Sequence, residues 1–388
     1  MNSHANVSRL LVQGWTGINH SYAMVNQYQL LALARLPGLQ LLHQEMPLFD
    51  SRWTREKNAA GFNAAEQETL AAIAPYAGQP VSAVYRIHSP NTLALTEARA
   101  ITFLVTELGL DAANFVAGAN PATYCAAGHL VVTPSHWSRE RIVDFGFAPD
   151  SVLVVPHGVD SGKFFAFAPV DRVNARTALG YGEEDRVFLN VGAPIWNKGL
   201  DLAIEAFFKL RQTHKTARLL IKDQNSLYGL SVVDMIRNLA SAGTIQIDDA
   251  SVESIKVLPQ TLSLEQLRSL YNVADFYVSP YRAEGFNLPV IESMACGTPV
   301  IVTAGGSTDD FFDDQLGYKI PSTKHLNATI NNTRIGAYLQ PDMDALVQTM
   351  RNCSDSRSRQ KQPIAFGIVN LTEQFTWQRA AKLLASLA

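Results

Sequence analysis

Short β-branched segments alternate with longer segments of helical periodicity along most of the chain, and this alternation limits the possible folds more than any other feature. Strands that alternate with helices form parallel sheets, and helices then cover both faces of each sheet. The pattern therefore predicts an α/β protein. The predicted strands are residues 9–13, 39–43, 81–87, 101–105, 130–133, 152–155, 187–191, 218–221, 244–247, 275–278 and 299–302. The clearest predicted helices are residues 21–35, 200–211, 264–271, 289–296 and 376–387.

The length of 388 residues and the number of predicted strands exceed what one sheet usually holds. The segment Pro156–Pro169 is rich in Gly, Pro and Phe and lacks helical periodicity. We therefore expect one domain in residues 1–165 and a second in residues 166–362. Residues 363–388 are expected to contain a helix that packs back on the first domain.

Two polar stretches of the second half are expected outside its core. Ser322–Arg334 is typical of a surface insertion, and Cys353–Gln362 is typical of a flexible connector.

Composition excludes several classes of protein. The chain has 32 Lys and Arg against 35 Asp and Glu, a formal net charge of −3, so charge gives no reason to expect nucleic acid as a partner. The three cysteines are isolated, which excludes a disulfide framework. The first residues lack an export signal, and Pro37 and polar residues interrupt the most apolar stretch, so we expect a cytoplasmic protein with at most peripheral membrane contact.

The strongest site signal lies in residues 275–303, which predict a strand, a turn, a helix and a second strand. Pro289 suits the first turn of a helix, and Gly297 suits the left-handed residue that ends one. The first amides of this helix, near Asn287–Val290, have no partner inside the helix, and the helix dipole adds positive charge there. The segment therefore predicts an anion-binding site.

Two carboxylates flank the predicted helix start. Glu284 precedes the helix, and Glu292 lies one turn inside it. Carboxylates this close to a bound phosphate would repel it unless each accepted hydrogen bonds from neutral hydroxyls. A phosphate between two hydroxyl-rich groups is a nucleotide-sugar, with a ribose on one side and the transferred sugar on the other.

This pair, separated by the seven residues GFNLPVI, resembles the motif of the retaining glycosyltransferases of family 4. Other segments occur in the order found in that family: Ser135–Ser138, Pro156–Asp160, Asn197–Gly199, Leu270–Asp275 and Ala295–Val300. The resemblance is specific over roughly residues 125–315, whereas the N-terminal third agrees only in pattern. It implies the GT-B fold, two Rossmann-like parallel-sheet domains that face each other across a cleft.

The resemblance also implies an activity: transfer of a hexosyl group from a UDP- or GDP-sugar to an acceptor hydroxyl, with retention at the anomeric carbon. The acceptor would be a glycan, a lipid-linked group or a protein, in surface polysaccharide or glycoconjugate synthesis. The first domain would lie on the acceptor side and the second would bind the donor. Glu284 would contact the transferred sugar, and Glu292 the ribose. The residues that would supply backbone contacts to the donor are Gly285, Phe286, Asn287 and Leu288.

Departure of a nucleoside diphosphate needs positive charge. Lys198 follows the strand 187–191, where a parallel sheet opens its ligand crevice, and is the first candidate. The family usually has an arginine directly after the glycine of this strand, but Ala193 stands there in this sequence. Lys222, at the end of the neighbouring strand, is expected to replace it in the donor site or to be an exposed strand-end charge.

The N-terminal half offers two further candidates. The loop Gly14–Ser21 follows the first strand, with Gly17 expected to allow close approach of the backbone to a ligand and Ser21 expected to cap the next helix. Its glycine spacing does not match that of a nicotinamide site. His88 follows a strand end, where the family often places a histidine against the donor sugar, so His88 is a candidate catalytic residue beside Glu284 and Lys198.

Acidic pairs raise the question of a metal ion. We interpret Asp309 and Asp310 as residues of a first helical turn, where carboxylates are favoured, and expect neither a metal nor another cofactor. Two alternatives to a transferase stay open: an enzyme of the same fold that catalyses nucleotide-sugar epimerisation or phosphorolysis, and a non-catalytic glycan-binding partner of a transferase.

Overall fold

The computed structural model describes residues 8–50, 53–55, 61–116, 118–223, 229–330, 333–355 and 364–388. The chain divides into two compact units. The first contains residues 1–158 and 375–388, and the second contains residues 159–374. The chain thus passes from the first unit to the second between Gly158 and Val159, close to the boundary predicted at residue 165. The C-terminal segment that returns to the first unit begins at residue 375, whereas the sequence predicted 363.

The first unit contains a parallel sheet in the strand order β3-β2-β1-β4-β5-β6-β7. Leu11, Leu42 and Val84 form one small core cluster on neighbouring strands. The strands are β1 (Ser8–Gly14), β2 (Leu39–Glu45), β3 (Ala74–Pro75), β4 (Ala83–Ile87), β5 (Arg99–Phe103), β6 (Leu130–Thr133) and β7 (Val152–Val154).

Helices of this unit begin where side chains satisfy free backbone amides. Ser135 accepts a hydrogen bond from the amide of Ser138 and caps the helix that starts at His136. The expectation that Ser21 caps the first helix is wrong, because the imidazole of His20 accepts from the Tyr22 amide and Ser21 is already helical. The helices are Ser21–Leu33, Ala64–Ala71, Pro121–Ala126, His136–Asp144 and Trp377–Ser386, with 3-10 turns at Ala112–Asn114 and Pro149–Ser151.

The C-terminal helix packs inside the first unit. The ring of Trp377 stacks on Tyr28 of the first helix, with ring centroids 4.7 Å apart, and on His157, with ring centroids 5.5 Å apart. A Cβ atom on Gly158 would lie 2.1 Å from the backbone nitrogen of Trp377, so only glycine fits at the point where the chain leaves this unit.

The second unit contains a parallel sheet in the order β10-β9-β8-β11-β12-β13 and a separate antiparallel hairpin of β14 and β15. Both sheets agree with the predicted α/β class, and the prediction of two Rossmann-like parallel-sheet domains is confirmed. The strands are β8 (Arg186–Val191), β9 (Ala217–Lys222), β10 (Ile255–Leu258), β11 (Phe276–Ser279), β12 (Val300–Thr303), β13 (Gly317–Ile320), β14 (Ser322–Ile330) and β15 (Thr333–Pro341).

Helices pack around this sheet over a core that includes Phe188, Phe207 and Ile301. The Asp275 side chain, which is 7% exposed, accepts hydrogen bonds from Arg172 at 2.7 Å and from Arg176 at 3.1 Å, which holds the first helix of the unit against the start of β11. The helices are Pro169–Ala178, Leu200–Arg211, Val232–Ser241, Asp249–Glu253, Leu264–Val273, Leu288–Ala295, Met343–Asp355 and Ile364–Gln374, with 3-10 turns at Trp196–Lys198 and Ser307–Asp310. None of the helices in the described ranges is long and apolar enough to cross a bilayer.

Three sequence-based assignments need correction. The predicted strand at 244–247 is wrong, because the Thr244 amide closes the preceding helix on Leu239, and the paired strand is Ile255–Leu258. The polar stretch at 322–334 is part of the β14–β15 hairpin. Of the predicted connector at 353–362, residues 353–355 end a helix, and residues 356–362 lie outside the described residues.

Candidate active site

The candidate site is built from two loops that leave the carboxyl ends of neighbouring strands β8 and β11. The carbonyl of Asn197 accepts hydrogen bonds from the amides of Arg282 at 2.7 Å and Ala283 at 3.1 Å. The Asn197 side chain donates in return to the Ala283 carbonyl at 3.2 Å. These three bonds hold the 3-10 turn Trp196–Lys198 beside the loop that carries Glu284.

Gly199 lets the two loops approach this closely. Its φ of 69° lies in the left-handed region, and a Cβ atom there would lie 2.1 Å from the carbonyl oxygen of Pro280. Gly199 ends the turn that carries Lys198 and leads into the helix Leu200–Arg211. A side chain at this position would push the Lys198 turn away from the Glu284 loop.

Arg282 is the second element that joins the loops. Its guanidinium makes two hydrogen bonds to the Asp201 carboxylate, at 2.8 and 2.7 Å, and one to the Trp196 carbonyl at 2.7 Å. The guanidinium also lies over the indole of Trp196, 4.8 Å from the ring centroid. Because this arginine is buried, its bonds replace those it would make to water.

Lys198 and Glu284 form an ion pair, with 2.7 Å between Nζ and Oε1. The lysine side chain is 27% exposed, whereas that of the glutamate is only 8% exposed. Solvent therefore reaches the lysine side chain more readily than that of the glutamate.

Glu292 lies on the helix Leu288–Ala295, where its Oε2 accepts a hydrogen bond from the Tyr271 hydroxyl at 2.7 Å. Enclosure of this carboxyl group by protein raises its pKa to about 7, and the Tyr271 hydrogen bond opposes that shift. Burial raises the pKa of Tyr271 itself, and the Glu292 charge adds to that shift, so the tyrosine remains a donor.

Tyr277 of β11 is buried, and the charges of all three groups act on it. Burial raises the pKa of Tyr277; the charges of Glu284 and Glu292 act in the same direction, and that of Lys198 acts against them. Oε2 of Glu284 and Oε1 of Glu292 form no hydrogen bond within the described ranges. Each carboxylate thus keeps one oxygen with which to accept a hydrogen bond from a ligand.

The helix starts at Leu288, so Pro289 lies in its first turn as predicted, but the Val290 amide, which was predicted to have no partner, donates to the Asn287 carbonyl at 3.0 Å. Asn287 adopts a left-handed conformation, with φ of 72°, and its side-chain amide donates to the Ser279 hydroxyl at 3.0 Å. Gly285 and Phe286 are buried, while Leu288 is half-buried. Gly297 is left-handed at the helix end, as predicted.

The structure does not bring Lys222 into this cluster. Its ammonium donates to the backbone carbonyl of Asp223, the side chain is buried, and burial lowers its pKa. Among the described residues, it forms neither a hydrogen bond nor an ion pair with Glu284. Ala193, which replaces the expected arginine, is also buried.

The two candidates of the first unit lie on separate loops. Gly17 is left-handed, with φ of 71°, and its amide donates to the Gln27 side chain at 3.4 Å. His88 follows β4 and is buried, and its Nε2 has no hydrogen-bond partner within the described ranges. Burial and the nearby charge of Arg86 lower the pKa of His88, so the imidazole is neutral at pH 7.

Two acidic side chains outside this site accept hydrogen bonds from backbone amides. Asp309 accepts a hydrogen bond from the Gly305 amide at 2.9 Å and pairs with Lys319 at 3.0 Å. Asp248 caps a short helix through the Ser251 amide. Among the described residues, no group of three or more His, Cys, Asp or Glu side chains could hold a metal ion.

Sequence reasoning missed several residues that organise the site: Tyr271, Tyr277, Arg282 and Asp201. Tyr271 lies within a motif that the sequence does display, but its partner Glu292 is 21 residues away. Arg282 and Asp201 are 81 residues apart, and no local pattern predicts such a pair.

Residues 171–333 match the family model described as "Glycosyl transferases group 1". A D-inositol 3-phosphate glycosyltransferase from Acidothermus cellulolyticus is 31% identical over 202 residues, which are 50% of this chain and 43% of that protein. A mannosylfructose-phosphate synthase from Agrobacterium fabrum is 28% identical over 165 residues, 42% of this chain and 35% of that protein. The chain thus matches less than half the length of these curated relatives.

Solved structures resemble the whole chain. The Anabaena protein Alr3699/HepE in complex with UDP and glucose has a TM-score of 0.65 at 13% identity and covers 98% of both chains. WaaG, a glycosyltransferase involved in lipopolysaccharide biosynthesis, has a TM-score of 0.60 at 13% identity, with 98% of this chain and 99% of that one covered. The chain has the fold of these proteins.

Proposed function

We propose that this protein is a retaining glycosyltransferase that moves a hexosyl group from a nucleotide-sugar to an acceptor hydroxyl. The observation that carries this proposal is the Lys198–Glu284 ion pair, held beside Glu292 and the helix start at Leu288. All these residues lie within the segment 171–333 that matches the glycosyl transferase family model.

Each group of the site has one part in the proposed reaction. The Lys198 ammonium, the Leu288 amide and the dipole of the helix Leu288–Ala295 bind the diphosphate, where negative charge grows as the sugar leaves. The free oxygen of Glu284 accepts a hydrogen bond from a sugar hydroxyl, and that of Glu292 accepts one from the ribose. From the first unit, Gly17 and His88 are the residues we assign to the donor sugar and its phosphate.

The proposed reaction breaks one bond, forms one bond and transfers one proton. The bond between the anomeric carbon and the phosphate oxygen breaks, and the acceptor oxygen forms a bond on the face that the diphosphate leaves. A phosphate oxygen takes the acceptor proton, so no dedicated carboxylate base is needed and the configuration is retained. We propose that Lys198 and the helix start neutralise the diphosphate without a metal ion, which undiminished activity in excess chelator would support.

We propose a UDP-hexose as the donor, because the solved structures of similar fold include complexes with UDP and UDP-glucose. The acceptor is proposed to belong to surface polysaccharide or glycoconjugate synthesis, and the donor to come from the cytoplasm. WaaG, one of the proteins of similar fold, takes part in lipopolysaccharide biosynthesis.

The test is a panel of UDP- and GDP-sugars screened by thermal shift, followed by hydrolysis and transfer assays with the best ligand. We expect one UDP-hexose to raise the melting temperature and to release UDP, and we expect Glu284→Gln to lose turnover while remaining folded. NMR of the product would give the anomeric configuration. Epimerised donor formed without an acceptor, or binding without turnover, would contradict the proposal.

A further inference from the structure

The hairpin β14–β15 attaches to the same loops that form the candidate site. The amide of Leu339 donates to the Arg282 carbonyl at 2.7 Å, and the Leu339 side chain is buried. At the other strand, the Ser322 hydroxyl donates to the Ala304 carbonyl at 2.7 Å. The base of the hairpin is therefore fixed to the loops after β11 and β12, and its outer part contains exposed Leu326.

Aromatic rings extend this attachment to the turn that carries Lys198. Tyr338 of β15 meets the indole of Trp196 edge to face, with ring centroids 5.1 Å apart. On β14, His325 stacks on Tyr338 at 4.6 Å with an angle of 8° between the rings. The hairpin thus contacts Trp196, which is two residues from Lys198.

Arg282 links the hairpin to the backbone of the turn Trp196–Lys198 through hydrogen bonds. The hairpin holds its carbonyl, its guanidinium binds the Trp196 carbonyl, and its amide binds the Asn197 carbonyl. The two residues before Lys198 are therefore both held by Arg282. The lysine side chain itself has a flexible stem and is more exposed than its partner Glu284.

We propose that Tyr338 and Leu339 are positioning residues, through which the hairpin β14–β15 holds the Lys198 ammonium against Glu284. The placement of Lys198 is a property of the free protein, whereas its effect on a rate rests on the proposed function. A displacement of about 1 Å in a catalytic group can lower a rate by up to about a hundredfold. Removal of one ring leaves the hydrogen bonds of Arg282 in place, so we expect a loss of about tenfold.

The first experiment measures the position of Lys198 without any substrate. Brief acylation with acetic anhydride, read by mass spectrometry, compares Lys198 with exposed Lys209 as an internal reference. We expect Tyr338→Leu to increase the relative acylation of Lys198 severalfold, because an amino group released from Glu284 is no longer shielded by the ion pair and is more accessible to the reagent. Tyr338→Phe, which keeps the ring, and Leu326→Ala, on the outer part of the hairpin, should match the wild type.

The second experiment separates positioning from general stability. In the transferase assay, Tyr338→Leu should lower kcat about tenfold with little change in the donor KM, but should have no further effect in a Lys198→Met background. Equal losses in both backgrounds, or unchanged acylation of Lys198 in a folded Tyr338→Leu variant, would overturn the proposal.

A second variant is used if Tyr338→Leu fails to fold. His325→Ala then takes its place, with a smaller effect in the same direction, and unchanged acylation of Lys198 in that variant would also overturn the proposal. A wild type that turns over no nucleotide-sugar refutes the proposed function, while acylation still tests the positioning.

Discussion

The candidate residues of the two units are held in different ways. In the second unit, Lys198 and Glu284 touch each other, and both are fixed by hydrogen bonds between two adjacent loops. In the first unit, the Gly17 amide donates to the side chain of Gln27 in the helix that follows, and His88 lies after a different strand, β4. Where the residues of a site contact one another, few substitutions are tolerated, because each residue must suit both its chemical role and its contacts.

The range of the chain that matches the family model agrees with this difference between the two units. The family model matches residues 171–333, which contain the interlocked loops, and does not extend to Gly17 or His88. Where backbone geometry is strict, as at Gly199 and Asn287, few residue types are tolerated. We infer that the second unit contains the part of the site that leaves the clearest signal in a sequence.

The largest expected effect tests whether the loops of the second unit are as tightly joined as the contacts indicate. Gly199→Ala should lower the free energy of unfolding by about 3–5 kcal/mol, because left-handed strain adds to a clash with Pro280. Gly180→Ala is the matched control, since Gly180 is also left-handed but has open space where the Cβ atom would lie. We expect it to cost about 1 kcal/mol in urea unfolding. Equal losses for the two variants would mean that the loops can separate.

The next effect compares two lysines within the second unit. Lys198→Met should lower kcat by about a hundred- to a thousandfold, because it removes the cation from the developing diphosphate charge. Lys222→Met should change kcat less than tenfold, since the Lys222 ammonium binds a backbone carbonyl instead. Steady-state kinetics with the donor found in the panel would measure both. Loss of activity in Lys222→Met alone would transfer the main role to Lys222, as the sequence left open.

A smaller effect concerns a buried histidine of the first unit. Burial lowers the pKa of His157 to about 3, whereas an unfolded histidine titrates near 6.5. Between pH 6.5 and pH 3 the unfolded state therefore binds a proton at this histidine that the folded state does not bind, and the free energy of unfolding falls as the pH drops below 6.5. Between pH 7 and pH 5 we expect a loss of about 2 kcal/mol from this residue. His157→Phe, which keeps a ring against Trp377, should remove this part of the acid dependence, whereas exposed His136→Phe should leave it intact.

The smallest effect reports on Glu292, whose pKa is raised to about 7. Ribose hydroxyls need the ionised carboxylate, so affinity for a UDP-hexose should weaken as the pH falls through 7 and approach a tenfold loss per pH unit below it, about 1.4 kcal/mol. Glu292→Gln should bind with little dependence on pH. Tyr271→Phe removes the hydrogen bond that opposes the shift and should move the midpoint upward. A flat calorimetric profile in the wild type would show that Glu292 does not bind the ligand.

Much of the fold could be predicted because its signals are local. Pro289 and Gly297 define the ends of one helix within a single segment, and the helix at 200–211 appears at its predicted bounds. The strand predicted at 244–247 failed for a related reason. Its alternating residues include buried Ile245, but the backbone there closes a helix, and no pattern in four residues distinguishes the two.

The contacts that fix the site could not be predicted in the same way. Arg282 binds Asp201 across 81 residues, and the Leu339 amide reaches the Arg282 carbonyl from a hairpin that the sequence shows only as a polar insertion. The hairpin was hard to recognise because polar residues lie on both sides of its strands, so the alternation of a half-buried strand is weak. Residue chemistry predicts which groups are candidates, whereas tertiary contacts decide where those groups are held.

The most direct test is a crystal structure with an unreactive UDP-hexose analogue bound. We predict the diphosphate at Lys198 Nζ and the start of the helix Leu288–Ala295, with a sugar hydroxyl within about 3.2 Å of Glu284 and a ribose hydroxyl equally close to Glu292. A nucleotide-sugar bound elsewhere in the second unit, with the Lys198–Glu284 pair closed and untouched, would contradict the account.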